Sequence, residues 1–176
     1  MTARLESTAV LSYQTPFPAD HWPLLWAWLH EYPDCNFDDD GPKTCEALVA
    51  GREATATMGE CTWLVLADGV PCGFLSFQSM TTRLGMTRGI CFAKAVHGSG
   101  IPKRAIREWR DHLFGLGIRK ICAAYYEHNV RVSALLRSLG AVPEGRLAAQ
   151  VTQDGQPVAM MLTALFAPEE SCQQGD

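Results

Sequence analysis

The sequence lacks any Cys-x-x-Cys pair, although it carries seven cysteines: Cys35, Cys45, Cys61, Cys72, Cys91, Cys122 and Cys172. Their odd number and long spacings exclude a zinc ribbon. Cys61, Cys91 and Cys122 stand in or beside apolar runs, where reduced, buried thiols are common. No apolar run is long enough to span a bilayer. The first residues, Met1-Thr-Ala-Arg-Leu-Glu, lack the basic start and apolar core of a secretory signal, so a cytoplasmic location is expected. Positive charge is in deficit: the net charge of −4 gives no electrostatic case for nucleic acid. No Gly-Lys-Ser/Thr follows the glycine loop, which excludes the usual nucleoside triphosphatase.

What is present suits one globular domain. The chain has 176 residues, 47% of them hydrophobic and 19% charged. A domain near this size buries roughly 70% of its unfolded surface and needs no disulfide or metal staple. The domain is expected over residues 1–167, followed by a polar tail over 168–176.

Taken in order, Thr8 to Tyr13 reads as a strand, broken by Gln14-Thr-Pro-Phe-Pro. Asp20 is placed to cap a helix to about Glu31, with Trp22, Leu25, Trp26 and Leu29 as its apolar stripe. Tyr32 to Gly41 is a polar loop with Asp34, Asp38, Asp39 and Asp40, read either as a solvated turn or as an acidic lip that attracts a cationic amine. A second helix runs from Pro42 to about Met58. Strands follow at Thr62–Ala67, Pro71–Gln78 and Met86–Ala93, the first two joined by the hairpin signal Asp68-Gly69. Past the glycine loop, Pro102 opens a helix whose buried face is Ala105, Ile106, Trp109 and Leu113. Ile118–Tyr126 is a strand. Asn129 caps a helix closed by Gly140. Two final strands, Val142–Thr152 and Val158–Phe166, join through Asp154-Gly155. The order β-α-α-β-β-β-α-β-α-β-β predicts an α/β (α+β) fold: a mixed, mainly antiparallel central sheet flanked by helices, with one parallel crossover at the glycine loop.

That loop is Val96-His97-Gly98-Ser99-Gly100-Ile101-Pro102. A glycine loop that ends in a helix start is a ready site for phosphate, because the first helical amides have no partner within the helix and the dipole favours negative charge.

This element order resembles the GNAT superfamily of acyl-CoA-dependent N-acyltransferases over nearly the whole chain. The family's phosphate loop, Arg/Gln-x-x-Gly-x-Gly/Ala, is matched by His97-Gly98-Ser99-Gly100-Ile101-Pro102, with His97 in place of the first residue and Pro102 in place of the last. The family's second motif, Asn-x-x-Ala-x-x-Leu-Tyr-x-x-x-Gly-Phe, is matched by Asn129-Val-Arg-Val132-Ser-Ala-Leu135-Leu136-Arg-Ser-Leu-Gly140-Ala141. Leu136 stands where a tyrosine is frequent.

The resemblance implies acetyl transfer from acetyl-CoA to an amine of a small molecule or protein by direct attack, with no metal, no nucleic acid and no membrane. Dimerisation, common in the family, is expected here too. The implied coenzyme site comprises the backbone near Cys91 and Phe92 for the pantetheine arm, the loop amides of Gly98, Ser99, Gly100 and Ile101, and His97, Lys103, Arg104 and Asn129. Leucine at position 136 cannot donate a proton, so Ser133, Tyr125, Tyr126 or a water is left as the acid, and Glu127 is the best carboxylate for a base. Each has a plain alternative: Lys103 and Arg104 as a solvated helix face, Asn129 as a cap, His97 as a turn-former, Glu127 as a loop acid. Two rival readings share the sequence. One is a catalytically inactive acyl-CoA-binding module on the same fold, motivated by Leu136 and Pro102. The other is a cysteine hydrolase using Cys91 or Cys122 with His97, His112 or His128, for which no spacing selects a pair.

Overall fold

A computed structural model describes residues 8–168 of the chain. The N-terminal hexapeptide, Cys172 and residues 169–176 of the expected tail lie outside the described residues. The elements are β1 (Leu11–Gln14), α1 (Trp22–His30), α2 (Pro33–Asn36), α3 (Cys45–Ala56), β2 (Glu60–Ala67), β3 (Val70–Ser79), β4 (Leu84–Phe92), α4 (Ile101–Gly115), β5 (Lys120–Tyr126), α5 (Val130–Ser138), β6 (Val142–Gln153) and β7 (Gln156–Phe166).

The seven strands form one sheet in the order β1-β2-β3-β4-β5-β7-β6. Neighbours are antiparallel except β4 and β5, the pair joined by the α4 crossover. Both two-residue hairpins form as the sequence demands. Asp68 and Gly69 take φ 50° and 76°, and Asp154 and Gly155 take 50° and 71°, the left-handed pair of a tight turn matched to strand twist.

Strand alternation divides the core into two layers. Leu64 and Leu66 of β2 face α1 and α3, where Leu25, Trp28, Leu29 and Leu48 are buried. Val65 and Ala67 face the opposite side, against Ile101, Ala105, Ile106 and Trp109 of α4. The expected buried face of α4 is therefore the observed one. Trp109 is held edge-on by Trp63 and Phe77, each with its ring centre 6.0 Å away.

Three local expectations are corrected. Asp20 does not cap α1; it lies in a 3-10 turn, Ala19–His21, with its carboxylate 2.8 Å from the His21 ring. The acidic loop contains the short helix α2, which begins at Pro33 because proline suits a first helical position. Cys61 is exposed, whereas Cys91 is buried as expected.

Candidate active site

Strands β4 and β5 pair only at their beginnings, from Leu84↔Lys120 to Met86↔Cys122. Past that point each keeps its other neighbour, β3 or β7, and the two diverge. The divergence leaves the Ile90–Phe92 end of β4 without a strand on its β5 side, and two cavities open there. The outer one, about 420 Å³, is bounded by Cys91, Phe92, the loop from His97 to Lys103, and Arg131 of α5. The inner one, about 460 Å³, runs between the walls of β4 and β5 beneath Leu48 and Phe74. Ile90, Asn129, Val132 and Leu135 line both, so they meet at the splay.

The loop after β4 is built to point amides outward. Gly98 and Gly100 have φ of 74° and 86°, a backbone state in which side chains are strained. Ser99 Oγ donates to the Val96 carbonyl at 2.6 Å and accepts the Ile101 amide at 3.2 Å. The first helical bond runs from the Arg104 amide to the Gly100 carbonyl, at 3.0 Å. The amides of Gly98, Gly100 and Lys103 make no hydrogen bond among the described residues, and Pro102 has none to offer. A concave set of donors at the positive end of a fifteen-residue helix fits a diphosphate.

Residues 32–41 form a strap from that loop to the far side of the splay. At one end Tyr32 meets His97. At the other, His128 Nε2 donates to the Asp34 carbonyl at 2.8 Å, and Gln153 Nε2 donates to the carbonyls of Asp34 and Phe37. Asp39 accepts the amides of Asp154 and Gly155, at 3.0 and 2.9 Å, which fixes the strap to the β6–β7 hairpin. Those bonds, the one from Gly155 first, hold the Asp39 carboxyl below its ordinary range. Asp38 turns inward. Its Oδ2 accepts the Tyr126 hydroxyl at 3.2 Å and its Oδ1 accepts the Asp40 amide at 3.1 Å, with both Asp38 and Tyr126 lining the inner cavity.

Comparison with known proteins decides the family. The profile of the acetyltransferase (GNAT) domain matches residues 15–142. The chain belongs to the GNAT acetyltransferase family. Solved GNAT structures share its fold at low identity. An acetyltransferase from Salmonella typhimurium that modifies the N-terminal serine of ribosomal protein L7/L12 is 18% identical, with a TM-score of 0.76 over 92% of this chain and 96% of that one. Spermidine N-acetyltransferase from Vibrio cholerae, solved with CoA and spermine, is 15% identical, with a TM-score of 0.75 over 89% and 95%. Ribosomal-protein-alanine N-acetyltransferase from Brucella melitensis is 15% identical, with a TM-score of 0.71 over 90% and 99%. Among curated protein sequences there is no match.

Within this GNAT chain the expected coenzyme residues separate into two groups. Cys91, Phe92, His97, Gly98, Gly100, Lys103 and Asn129 all line the outer cavity. Ser99 and Ile101 do not; Ser99 shapes the loop, and Ile101 is fully buried with its amide already bonded to Ser99. Arg104 points away, donating to the Ala9 carbonyl and lying 3.6 Å from Glu108. Asn129 is the helix cap as well, accepting the Val132 amide at 3.2 Å. His97 donates from Nε2 to the Phe92 carbonyl at 2.9 Å, so it shapes the loop and occupies one outward group of β4.

Of the acid–base candidates, Tyr126 lines the inner cavity, whereas Glu127 and Ser133 line neither. Glu127 is exposed and held by Arg146 through two bonds, at 2.6 and 2.8 Å. That guanidinium keeps the carboxyl below its ordinary range and makes it a weak base. Burial pushes the Cys91 thiol up to about 12 and raises the Cys122 thiol as well, which disfavours the thiolate at both positions named in the hydrolase reading. Leu136, at the family's tyrosine position, is buried in the inner cavity wall. Asp38 and Arg131 are the site residues that sequence reasoning did not single out. Asp38 was one of four aspartates in a loop, and only long-range bonds distinguish it.

Among the described residues no helix is long and apolar enough to cross a membrane. Nor does any group of three His, Cys, Asp or Glu among them converge as a metal site.

Proposed function

We propose that the protein is an acetyl-CoA-dependent N-acetyltransferase in which the amine attacks the thioester directly. One observation carries this reading: the two cavities join at the splay, one ending on helix-start amides and the other on the Asp38–Tyr126 pair. The coenzyme supplies an acetyl group activated as a thioester. The chain does the rest. The amides of Gly98, Gly100 and Lys103 and the Lys103 ammonium hold the diphosphate. The β4 backbone at Ile90 and Cys91 takes the pantetheine arm as an added strand. Asp38 accepts the amine's proton, directly or through a water, and Tyr126 holds that carboxylate in place. Burial, with Asp38 beside it, pushes the Tyr126 hydroxyl up, so it stays protonated and acts as a donor to Asp38 rather than as an acid.

Amine basicity sets the acceptor class. Neutralising a lysine-type amine of pKa ~10.4 at pH 7 costs about 4.6 kcal/mol, but the α-amine of a polypeptide, near ~7.8, costs only about 1 kcal/mol, and that of a free amino acid lies between because its own carboxylate favours the charged form. A site with a single carboxylate as base suits the α-amine. The test is transfer of labelled acetyl from acetyl-CoA to α-amine and ε-amine acceptors, with CoA release followed in parallel. Faster α-amine turnover at neutral pH supports the reading, and faster ε-amine turnover counts against it. The apolar Leu136 favours a second reading, a binding module without catalysis. Tight CoA binding with no transfer to any amine would select that one.

A further inference from the structure

The inner cavity carries a charge arrangement that acetyl transfer itself does not require. The register between β3 and β4 slips so that Ser76 faces Gly89 and Phe77 faces Thr87, which leaves Arg88 as the extra, bulged residue. Arg52 of α3 reaches across to this bulge. Its Nη2 donates to the Arg88 carbonyl at 3.2 Å, and its Nη1 donates to Glu60 and, at 3.3 Å, to Ser76 Oγ. Gly89 makes room for it, because a Cβ there would stand 2.9 Å from Arg52 Nη2. Glu60, with its side chain 2% exposed, is among the described residues the one carboxylate serving both arginines, with Oε2 at 3.9 Å from Arg88 Nε. Two guanidinium charges against one carboxylate leave this wall with a net charge of about +1. Arg52 is immobilised by its bonds. Arg88 is 42% exposed at its side chain, lines the cavity, and among the described residues its guanidinium has only that long contact to Glu60.

Resting on the acyl-CoA reading, we propose that the acceptor is a free amino acid with an apolar side chain, its carboxylate held by the Arg88 guanidinium. Asp38 in the strap supplies a charge of opposite sign in the lining of the same cavity. Leu29, Leu48, Phe74 and Met160 give that cavity apolar lining. A polyamine has no use for two arginines, and the backbone of a polypeptide N-terminus has no carboxylate to offer them. In the reaction the α-nitrogen forms a bond to the acetyl carbon as the carbon–sulfur bond breaks. The nitrogen's proton goes to Asp38, and the sulfur leaves as thiolate and takes a proton from solvent. The products are an N-acetyl amino acid and CoA.

Product binding tests this without relying on turnover. The full chain is first titrated with CoA, then, saturated with CoA, with N-acetyl-L-methionine and with N-acetyl-L-methioninamide. The acid is expected to bind about tenfold tighter than the amide, the factor that one charge-assisted hydrogen bond supplies. Arg88→Gln should bring the two to equal affinity, and Arg88→Lys should retain part of the preference, with melting curves and CoA affinity like those of the wild type in both. Equal affinity in the wild type, no binding of either compound to the CoA-saturated protein, or a preference that survives Arg88→Gln would overturn the proposal. Failure of the first titration, with CoA alone, would instead remove the acyl-CoA reading on which it rests.

Discussion

The ring of Tyr32 lies parallel to that of His97, with centroids 5.3 Å apart and planes 9° apart. His97 Nε2 donates to the Phe92 carbonyl, which turns Nδ1 toward the Tyr32 hydroxyl, 3.4 Å away. The Arg131 guanidinium lies 4.2 Å from the centre of the Tyr32 ring. One tyrosine thus joins the strap, the glycine loop and α5 around the mouth of the outer cavity.

If that stack shapes the coenzyme mouth, Tyr32→Ala should weaken CoA binding roughly fivefold, in line with about 1 kcal/mol for an aromatic or cation–π contact. Tyr32→Phe keeps the ring and should lose less than half of that free energy. Calorimetric titration of both variants checks the order.

Gly98 has a left-handed backbone, and a Cβ added there would meet nothing within 4 Å. Gly98→Ala therefore isolates backbone strain from steric clash. The substitution should lower stability by about 1 kcal/mol, the cost of placing an L-residue in that region. CoA affinity should fall with it, because the alternative φ turns the amide away. Denaturant unfolding and CoA titration on the same preparation measure both.

Asp38→Asn should lower kcat roughly 100-fold, at the lower end of what a positioned base contributes, and leave CoA affinity near the wild-type value. Tyr126→Phe should cost less, since it removes only the donor that holds the Asp38 carboxylate in place. Steady-state rates across pH distinguish the two.

Glu60 gives the pH dependence of stability. Burial pushes its carboxyl up, but hydrogen bonds from Ser76 and Thr55 and the Arg52 charge outweigh burial and hold it below its ordinary 4.5. A carboxyl depressed in the folded state stabilises above the unfolded value and loses that contribution as pH falls through the folded one. Glu60→Gln leaves Arg52 without its counter-charge and should cost about 3 kcal/mol at pH 7, or roughly 6–12 °C in Tm for a chain of this size. The gap between wild-type and variant melting temperatures should close as pH drops below 4.5.

Local chemistry made much of this legible in the sequence. Asp68-Gly69 and Asp154-Gly155 have the residues that left-handed turns require, and Asn129 has the side chain that a helix start requires, so each was readable within two or three residues. The strap was not, because what fixes residues 32–41 lies more than sixty residues away along the chain: His97 for Tyr32, Tyr126 for Asp38, and Asp154 and Gly155 for Asp39. Arg104 is a similar case. Its helix position admits either the loop or β1, and the Ala9 carbonyl decides for β1. The bulge at Arg88 depends on the pairing register of β3 with β4, which no local pattern reveals.

The central claim is that the amides at the start of α4 grip a diphosphate at the β4–β5 splay. Calorimetric titration of the folded protein with CoA, beside dephosphorylated pantetheine, tests it most directly. The account predicts saturable one-to-one CoA binding that is much weaker for pantetheine and is reduced by Gly98→Ala. CoA binding no tighter than pantetheine binding, or no CoA binding at all, would contradict it.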